Sequence, residues 1–451
     1  MSHDISAPPG SPGHGPGPGE VVEFDAKEVR KIALSAFVGT ALEWYDFFLF
    51  GTASAIVFSK LYFSGESEIV ATMASFAVFG VGFLARPFGA ILFGQLGDRM
   101  GRKPALLLSI VLIGVATGLV GFIPPYSSIG IWAPLLLTVL RLCQGIAVGG
   151  EWGGATTMAI EHAPAELRSR YAAMVQLGSP FGTLLSSGAF ALVLLLPGES
   201  FDAWGWRIAF WLAFPMLGVA LWIRMRVEES PVYEAMVREE DAPKANLKEL
   251  FTLGFRSLSL ATAASLLGIG GFFVMNTYVQ SYATVVKGLD RQSVVNAVLV
   301  AAVCQIVVII AMGRVSERTG PGKVIGWGSV ATAVMAWPLW LMIDTGEVMW
   351  VTVAVCLGLA LVTIPYAVSG ALLSELFPPH HRYSGIAIGA NIAGAISGLL
   401  PFIATAMNGD GSPSTWPAVI ILIVISLITA VGGFVGENYR LEDAVTVKVA
   451  E

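Results

Sequence analysis

The sequence predicts an all-α membrane protein in which twelve transmembrane helices form two pseudo-symmetric six-helix bundles. Three observations lead to this fold class. The AVILMFWYC residues make up 55% of the 451-residue chain, and the charged residues only 13%, about half their share in soluble domains. Apolar runs of roughly 18 residues or more recur along the chain, and each can cross about 30 Å of hydrocarbon. Finally, two short motifs occur twice at nearly one offset.

The apolar runs divide into two sets of six. The predicted spans lie near residues 32–58, 68–93, 104–123, 130–158, 171–196, 206–226, 257–285, 293–313, 323–343, 348–374, 384–407 and 416–436. We therefore predict five regions along the chain. They are a Pro- and Gly-rich disordered cytoplasmic tail (1–30), a first bundle (31–226), a charged cytoplasmic loop (227–256), a second bundle (257–437) and a cytoplasmic C-terminal tail (438–451).

The basic residues predict the orientation in the membrane. Of the 26 Lys and Arg residues, two fall within spans and four (Lys60, Arg207, Lys287 and Arg291) lie on one side. The remaining 26 − 2 − 4 = 20 lie on the side that both termini and the central loop share. Because cytoplasmic loops carry the excess of basic residues, both termini are predicted to be cytoplasmic.

Two motifs indicate that the halves are repeats of each other. The loop Gly-Gln-Leu-Gly-Asp-Arg-Met-Gly-Arg-Lys at 94–103 follows the second span, and a degenerate copy at 313–323 follows the eighth, 313 − 94 = 219 positions later. The pattern Glu-x2-Pro-x3-Arg occurs at 161–168 and again at 375–382, 375 − 161 = 214 positions later. Duplicated bundles of this kind are typical of secondary transporters.

Further segments narrow the resemblance. They are Glu-Trp-Tyr-Asp-Phe at 43–47, Arg-Pro-Phe-Gly at 86–89, the glycine-rich run at 141–154, Glu-Glu-Ser-Pro at 228–231 and Glu-Leu-Phe-Pro at 375–378. With the two repeated motifs, they resemble the major facilitator superfamily over residues 30–440, and within it the metabolite:proton symporter branch. Members of that branch carry shikimate, 2-oxoglutarate, citrate, dicarboxylates, proline or betaines. The resemblance implies proton-coupled uptake of a small organic acid or zwitterion across a bacterial inner membrane.

Five ionisable side chains lie well within predicted spans. They are Glu43, Asp46, Arg86, Arg141 and Glu151, all in the first half of the chain. Left unpaired at helix centres, they would together cost roughly 12–18 kcal/mol. We therefore expect them to face the bundle interior and to contact one another or water.

The buried acids are the predicted proton-coupling residues. Asp46, Glu43 and Glu151 outnumber the two buried arginines, so one negative charge is left over unless a proton binds. Arg141 and Arg86 are the predicted partners of a substrate carboxylate. When such a carboxylate engages either arginine, a released acid is protonated more easily. By reciprocity, protonation then favours substrate binding to the same degree.

Neutral polar residues complete the predicted substrate site. These are Tyr45, Gln144, Asn276, Gln280 and Asn391. Three glycines at 268, 270 and 271 further predict an interruption of the seventh helix just before Asn276, of the kind that exposes polar groups to a substrate. Close helix packing would equally explain those glycines.

A second set of charges lies at the cytoplasmic ends of the spans. By resemblance, they form a cytoplasmic gate that consists of Asp98, Arg99, Arg102, Glu161 and Arg168 in the first half and Glu317, Arg318, Glu375 and Arg382 in the second. Partly screened ion pairs of about 0.2–1 kcal/mol each suit a contact that must open in every transport cycle. The alternative is that these charges only fix topology.

Other functions remain open or are disfavoured. Among transport functions, the alternative is proton-driven efflux of an amphiphile, although the two buried arginines favour capture of an anion. A second alternative, outside transport, is a membrane sensor that does not transport. The buried charges could also be ion pairs that only lock the bundle.

Several function classes are excluded on sequence grounds. A net charge of −6 argues against nucleic-acid binding, and no Gly-x4-Gly-Lys-Ser/Thr loop for ATP occurs. Cys143, Cys304 and Cys356 all lie in apolar runs, so we expect neither a disulfide framework nor a metal site. The sequence contains no pairing of a nucleophile with a base that would indicate an enzyme. The proton is the expected coupling ion, without a cofactor, and a functional monomer is expected.

Overall fold

The computed structural model describes residues 26–100, 102–149, 168–225, 254–377, 379–408 and 413–449. Within these ranges the chain forms twelve helical rods. The first six are α1 (Ala26–Ala53, continued by Ser54–Phe58 and Ser59–Tyr62), α2 (Glu68–Met100), α3 (Arg102–Val120), α4 (Trp132–Val148), α5 (Arg168–Gln176 and Gly178–Val193) and α6 (Phe201–Gly205, Trp206–Trp211 and Ala213–Met225).

The other six rods follow the central loop. They are α7 (Phe255–Phe272, continued by Phe273–Tyr278, Val279–Ser281 and Tyr282–Val286), α8 (Arg291–Thr319), α9 (Pro321–Asp344), α10 (Val348–Glu375), α11 (Pro379–Gly398 and Leu400–Asn408) and α12 (Trp416–Val449). In the described part of the chain, nine stretches are long and apolar enough to cross a membrane, and shorter apolar helices lie at Leu107–Val120 and Trp132–Val148. The predicted fold class is confirmed.

Glycines bring α2 and α4 into backbone contact. A Cβ added to Gly145 would overlap the carbonyl oxygen of Gly82, and one added to Gly149 would overlap that of Arg86. Small residues permit such close approach between membrane helices. Both glycines belong to the glycine-rich run at 141–154, of which residues 150, 153 and 154 lie outside the described ranges.

The seventh rod is continuous through its glycines. Gly268 and Gly271 lie within the α-helical segment and pack closely on α10, where a Cβ at Gly268 would lie 3.1 Å from the Cα of Tyr366. The prediction of a break at the glycines is therefore wrong. The departure from α-helical geometry comes just afterwards, as a π-helical segment at Phe273–Tyr278 that contains Asn276.

The two bundles touch at both ends of the molecule. At the end where α1 begins, which we call the termini end, a Cβ on Gly313 of α8 would lie 2.9 Å from the Cβ of Ala173 on α5. At the opposite end, a Cβ on Gly51 would lie 2.7 Å from the hydroxyl of Thr277. The bundles are thus in contact on both sides of the buried charges.

Candidate transport site

Arg86 and Glu43 form an ion pair between α2 and α1. Nη2 of Arg86 lies 3.1 Å from Oε1 of Glu43, and the two side chains are only 7% and 5% exposed. The guanidinium carbon lies 4.2 Å from the ring centre of Phe47 and 4.6 Å from that of Phe83. The pair and the two ring faces together compensate for burying both charges in a nonpolar environment.

A pocket at the bundle interface contains this pair. We call it the interface pocket; its first-bundle wall consists of Glu43, Trp44, Phe47, Phe83 and Arg86, and its second-bundle wall of Ile269, Phe273, Tyr366, Ala390 and Asn391. Asn391 donates a hydrogen bond of 3.2 Å to the carbonyl oxygen of Gly149 on α4. Both bundles therefore contribute polar groups to one enclosed space.

The interface pocket holds a hydrogen-bond donor that is not used. In the described part of the chain, Nε of Arg86 forms no hydrogen bond, whereas the hydroxyl of Tyr366 interacts with the side chains of Trp44 and Ser179. An unsatisfied buried donor costs about 1–3 kcal/mol. A bound molecule that carries acceptor oxygens would recover part of that cost.

Asp46 lies in a second polar cluster, inside the first bundle. Its Oδ2 lies 3.2 Å from Nη1 of Arg141, and these two side chains are 2% and 1% exposed. Its Oδ1 accepts hydrogen bonds from Nε2 of Gln144, at 2.8 Å, and from the hydroxyl of Thr117. Gly82 leaves room for the arginine, because a Cβ there would lie 2.5 Å from Nε of Arg141.

Phenylalanine rings lie between this cluster and the second bundle. The guanidinium carbon of Arg141 lies 4.3 Å from the ring centre of Phe50, 5.1 Å from Phe79 and 5.5 Å from Phe83. Phe79 and Phe83 also contact Phe273 of α7, at ring-centre distances of 5.1 and 4.8 Å. The structure thus places Arg86 at the interface pocket and Arg141 behind aromatic rings.

The predicted neutral residues fall at different places. Tyr45 donates a hydrogen bond to the carbonyl oxygen of Ala209 on α6, within the first bundle. Gln280 donates to Asn276, at 2.7 Å, and to the hydroxyl of Thr52 across the bundles, at 3.2 Å. Gln280 therefore links α7 to α1, and the wall of the interface pocket includes neither Asn276 nor Gln280.

The predicted gate is only partly described. Glu317 forms an ion pair with Arg170 of α5, whose Nη2 lies 2.8 Å from its Oε2. Beside this pair, the hydroxyl of Ser316 donates to that of Ser169 at 3.1 Å. These contacts join the two bundles at the termini end.

The other gate residues of the second half behave differently. Nε of Arg382 donates a hydrogen bond of 2.7 Å to the carbonyl oxygen of Ser374, within the second bundle. Arg318 is exposed, and Glu375 is half-buried at the end of α10. Glu151 and Glu161 lie outside the described residues, as do the side chains of Asp98, Arg99, Arg102 and Arg168.

Several contacting residues were missed by the sequence reasoning. Arg170 lies two residues beyond the repeated Glu-x2-Pro-x3-Arg pattern, so no motif marked it. At the opposite end, Arg291 pairs with Asp202 across the bundles, with Nη1 2.8 Å from Oδ1. Thr117 had a usable signal, because it is a hydroxyl residue within an otherwise apolar span.

Comparison with known proteins agrees with this architecture. The family profile of the Major Facilitator Superfamily matches residues 36–400. The Shikimate transporter of Escherichia coli (strain K12) is 34% identical over 412 residues, which are 89% of this chain and 93% of the relative. The Proline/betaine transporter of the same organism is 32% identical over 424 residues, which are 91% and 85% of the two chains.

Solved structures show the same fold. The crystal structure of a D-xylose-proton symporter superposes with a TM-score of 0.69 at 18% identity, covering 89% of this chain and 97% of that one. The family is established because the profile matches most of the chain and the relatives are more than 30% identical to it. The chain belongs to the Major Facilitator Superfamily, as a multi-pass membrane transporter of metabolites and not an enzyme.

Proposed function

We propose that the protein is a proton-coupled symporter that carries a small organic acid or zwitterionic metabolite into the cell by alternating access. The observation that carries this proposal is the pairing of Arg86 with Glu43 on the wall of the interface pocket. A substrate carboxylate matches the geometry of a guanidinium. The unused Nε donor of Arg86 suits the same acceptor-rich ligand.

Coupling follows from competition for Arg86. A carboxylate that binds this arginine displaces Glu43, whose side chain has little access to water. A buried carboxylate without its cationic partner is more easily protonated, so substrate and proton bind together. Asp46 lies three residues further along α1 and therefore on the same face of the helix, which makes it the second proton carrier in our proposal.

The remaining predicted residues take other roles in this scheme. Gln144 and Arg141 hold Asp46 through the hydrogen bond and ion pair described above. Asn391 contributes a polar contact to the substrate from the second bundle, since it lines the interface pocket. The contact between Arg170 and Glu317 closes the termini end between transport events.

The orientation we propose places the termini end in the cytoplasm of a bacterium, with the protein in the inner membrane. The distribution of basic residues supports this, since 20 of 26 lie on the side that the termini share. One of the relatives is named "Inner membrane metabolite transport protein" of Escherichia coli (strain K12). The names of others specify shikimate and proline/betaine, which sets the range of substrates to be tested first.

Proton uptake by sealed proteoliposomes would test the proposal. A pH-sensitive dye reports proton movement as shikimate, 2-oxoglutarate, citrate, succinate, a monocarboxylate, proline and betaine are added one at a time. We expect alkalinisation outside the vesicles with at least one of them, and its loss in both Asp46→Asn and Arg86→Ala. Glu199→Gln is the matched control, because it neutralises an exposed acid away from both clusters.

Two results would contradict the proposal. Substrate-driven proton uptake that survives in Asp46→Asn would remove this acid from the coupling scheme. If no acid or zwitterion causes proton movement but a lipophilic cation does, the efflux alternative would instead be established.

A further inference from the structure

A second cavity lies inside the first bundle, between α1, α3 and α6. Asp46 and Thr117 line one end of it, and Gly39 and Ala220 line the other. Asp46 lies seven positions after Gly39 on α1, so the cavity extends about 10 Å along the helix axis. That extension leads from the buried acid toward the termini end.

Small residues create this cavity. Gly39 on α1, Gly114 on α3 and both Ala213 and Ala220 on α6 line it, where larger side chains would fill the space. The fit is tight at one position, since a Cβ on Gly114 would lie 2.8 Å from the Cβ of Leu217. The cavity therefore depends on the size of a few residues.

Among the described residues, the two spaces share one lining residue, a buried acid of α1. Glu43 lines both the interface pocket and this cavity, whereas Asp46 lines the cavity alone. Toward the second bundle, Phe79 and Phe83 cover the guanidinium that pairs with Asp46. Because Asp46 is 1% exposed, a proton that leaves it must pass either Glu43 or the cavity.

We propose that the cavity between α1, α3 and α6 is a proton passage that joins Asp46 and Glu43 to the termini end, separate from the pocket that takes the substrate. The inference rests on the proton-coupled function proposed above and adds the route. Carboxylate and hydroxyl groups hold water at the buried end of the passage. Its apolar walls admit water only transiently, as in hydrophobic constrictions that gate by dewetting. The proton is thus released without crossing the substrate pocket.

Filling the cavity tests the route. Ala220→Leu adds a branched side chain at its outer end, and we expect substrate-driven proton uptake to fall by about tenfold or more because no room for water remains. Exchange of labelled for unlabelled substrate needs no net proton transfer, so it is expected to persist in this variant. Val219→Leu is the matched control, since the neighbouring residue on α6 is 57% exposed. Full proton uptake in Ala220→Leu would overturn the proposal.

Thiol accessibility gives a second test that uses a smaller change. Ala220→Cys and Val219→Cys are made in a chain whose three native cysteines are replaced, and each is exposed at the termini end to a charged and to a lipophilic thiol reagent. We expect the charged reagent to modify Ala220→Cys much faster than Val219→Cys. Reaction of Ala220→Cys with the lipophilic reagent alone would mean that the cavity is reached from the bilayer and not from water, and would refute the passage.

The two proposals fail in different ways. Absence of proton uptake in the unmodified protein with every substrate would remove the symport function, whatever the thiol result. Normal proton uptake with a cavity closed to the charged reagent would leave symport in place and remove only this route.

Discussion

A partly exposed ion pair joins the two bundles at the termini end, and its removal is expected to favour opening there. Arg170 on α5 and Glu317 on α8 lie 2.8 Å apart, with side chains 44% and 15% exposed. Pairs that are open to solvent in this way contribute about 0.2–1 kcal/mol. Glu317→Gln keeps the size of the side chain and removes its charge, so the ratio of closed to open molecules is expected to fall roughly 1.4- to 5-fold.

Disulfide formation beside the pair measures this ratio. The hydroxyls of Ser169 and Ser316 lie 3.1 Å apart across the same contact, so cysteines at these two positions can cross-link only while this end is closed. In a chain without its native cysteines, Glu317→Gln is expected to slow cross-linking. Added salt is also expected to slow cross-linking when Arg170 and Glu317 are both present, because salt screens their attraction.

Two further variants make the test specific. Arg318→Gln removes an exposed charge from the same turn of α8, and we expect cross-linking to stay unchanged. Asp202→Asn removes the pair with Arg291 at the opposite end, and it is expected to speed cross-linking, because molecules that open there are closed at the termini end. Equal effects of Glu317→Gln and Arg318→Gln would refute the reasoning and leave only a topological role for Glu317.

Two predictions concern stability, measured as the thermal unfolding midpoint in detergent. Gly145→Ala is expected to lower stability by about 1–3 kcal/mol, because its methyl group would overlap a backbone carbonyl of α2. Gly188→Ala, where the same methyl group meets no other atom within 4 Å, should leave the midpoint unchanged; equal losses in both would contradict the packing argument. Glu437→Gln is expected to cost about 0.5–2 kcal/mol, because this buried carboxylate accepts a 2.7 Å hydrogen bond from the backbone N–H of Gly322 at the start of α9. The exposed Glu347→Gln is its control, and an unshifted midpoint in Glu437→Gln would remove this capping role.

The helices and their grouping into two bundles could be predicted from the sequence because the length of an apolar run is a local property. The depth predicted for each charge within the spans rests on the same reasoning, at 1.5 Å per residue. The depth of a charged side chain does not determine which residue it pairs with, however. Whether Arg86 meets Glu43 or Asp46 depends on how far α2 is rotated about its axis, and that rotation is set by contacts between glycines and backbone carbonyls of α2 and α4.

The gate illustrates the same limit. The repeated pattern singled out Arg168, yet the described ion pair is made by Arg170. Two positions along a helix are about 200° apart around its axis, so a pattern that is displaced by two residues marks the opposite face of the helix. Choosing between them requires knowing which face of α5 meets α8, and that choice is fixed by the contact between Ala173 and Gly313.

The separation of the two arginines constrains any coupling mechanism in this protein. Arg86 lies on the wall of the interface pocket, whereas Arg141 is surrounded by phenylalanine rings that also pack on the second bundle. In the proposed mechanism, a substrate in that pocket displaces Glu43 from its arginine, but it does not reach the pair that holds Asp46 without moving those rings. Since Glu43 and Asp46 share a face of α1, this mechanism links substrate and proton through that one helix. A change in α1 that leaves both ion pairs intact should therefore uncouple transport more effectively than a change elsewhere in the bundle.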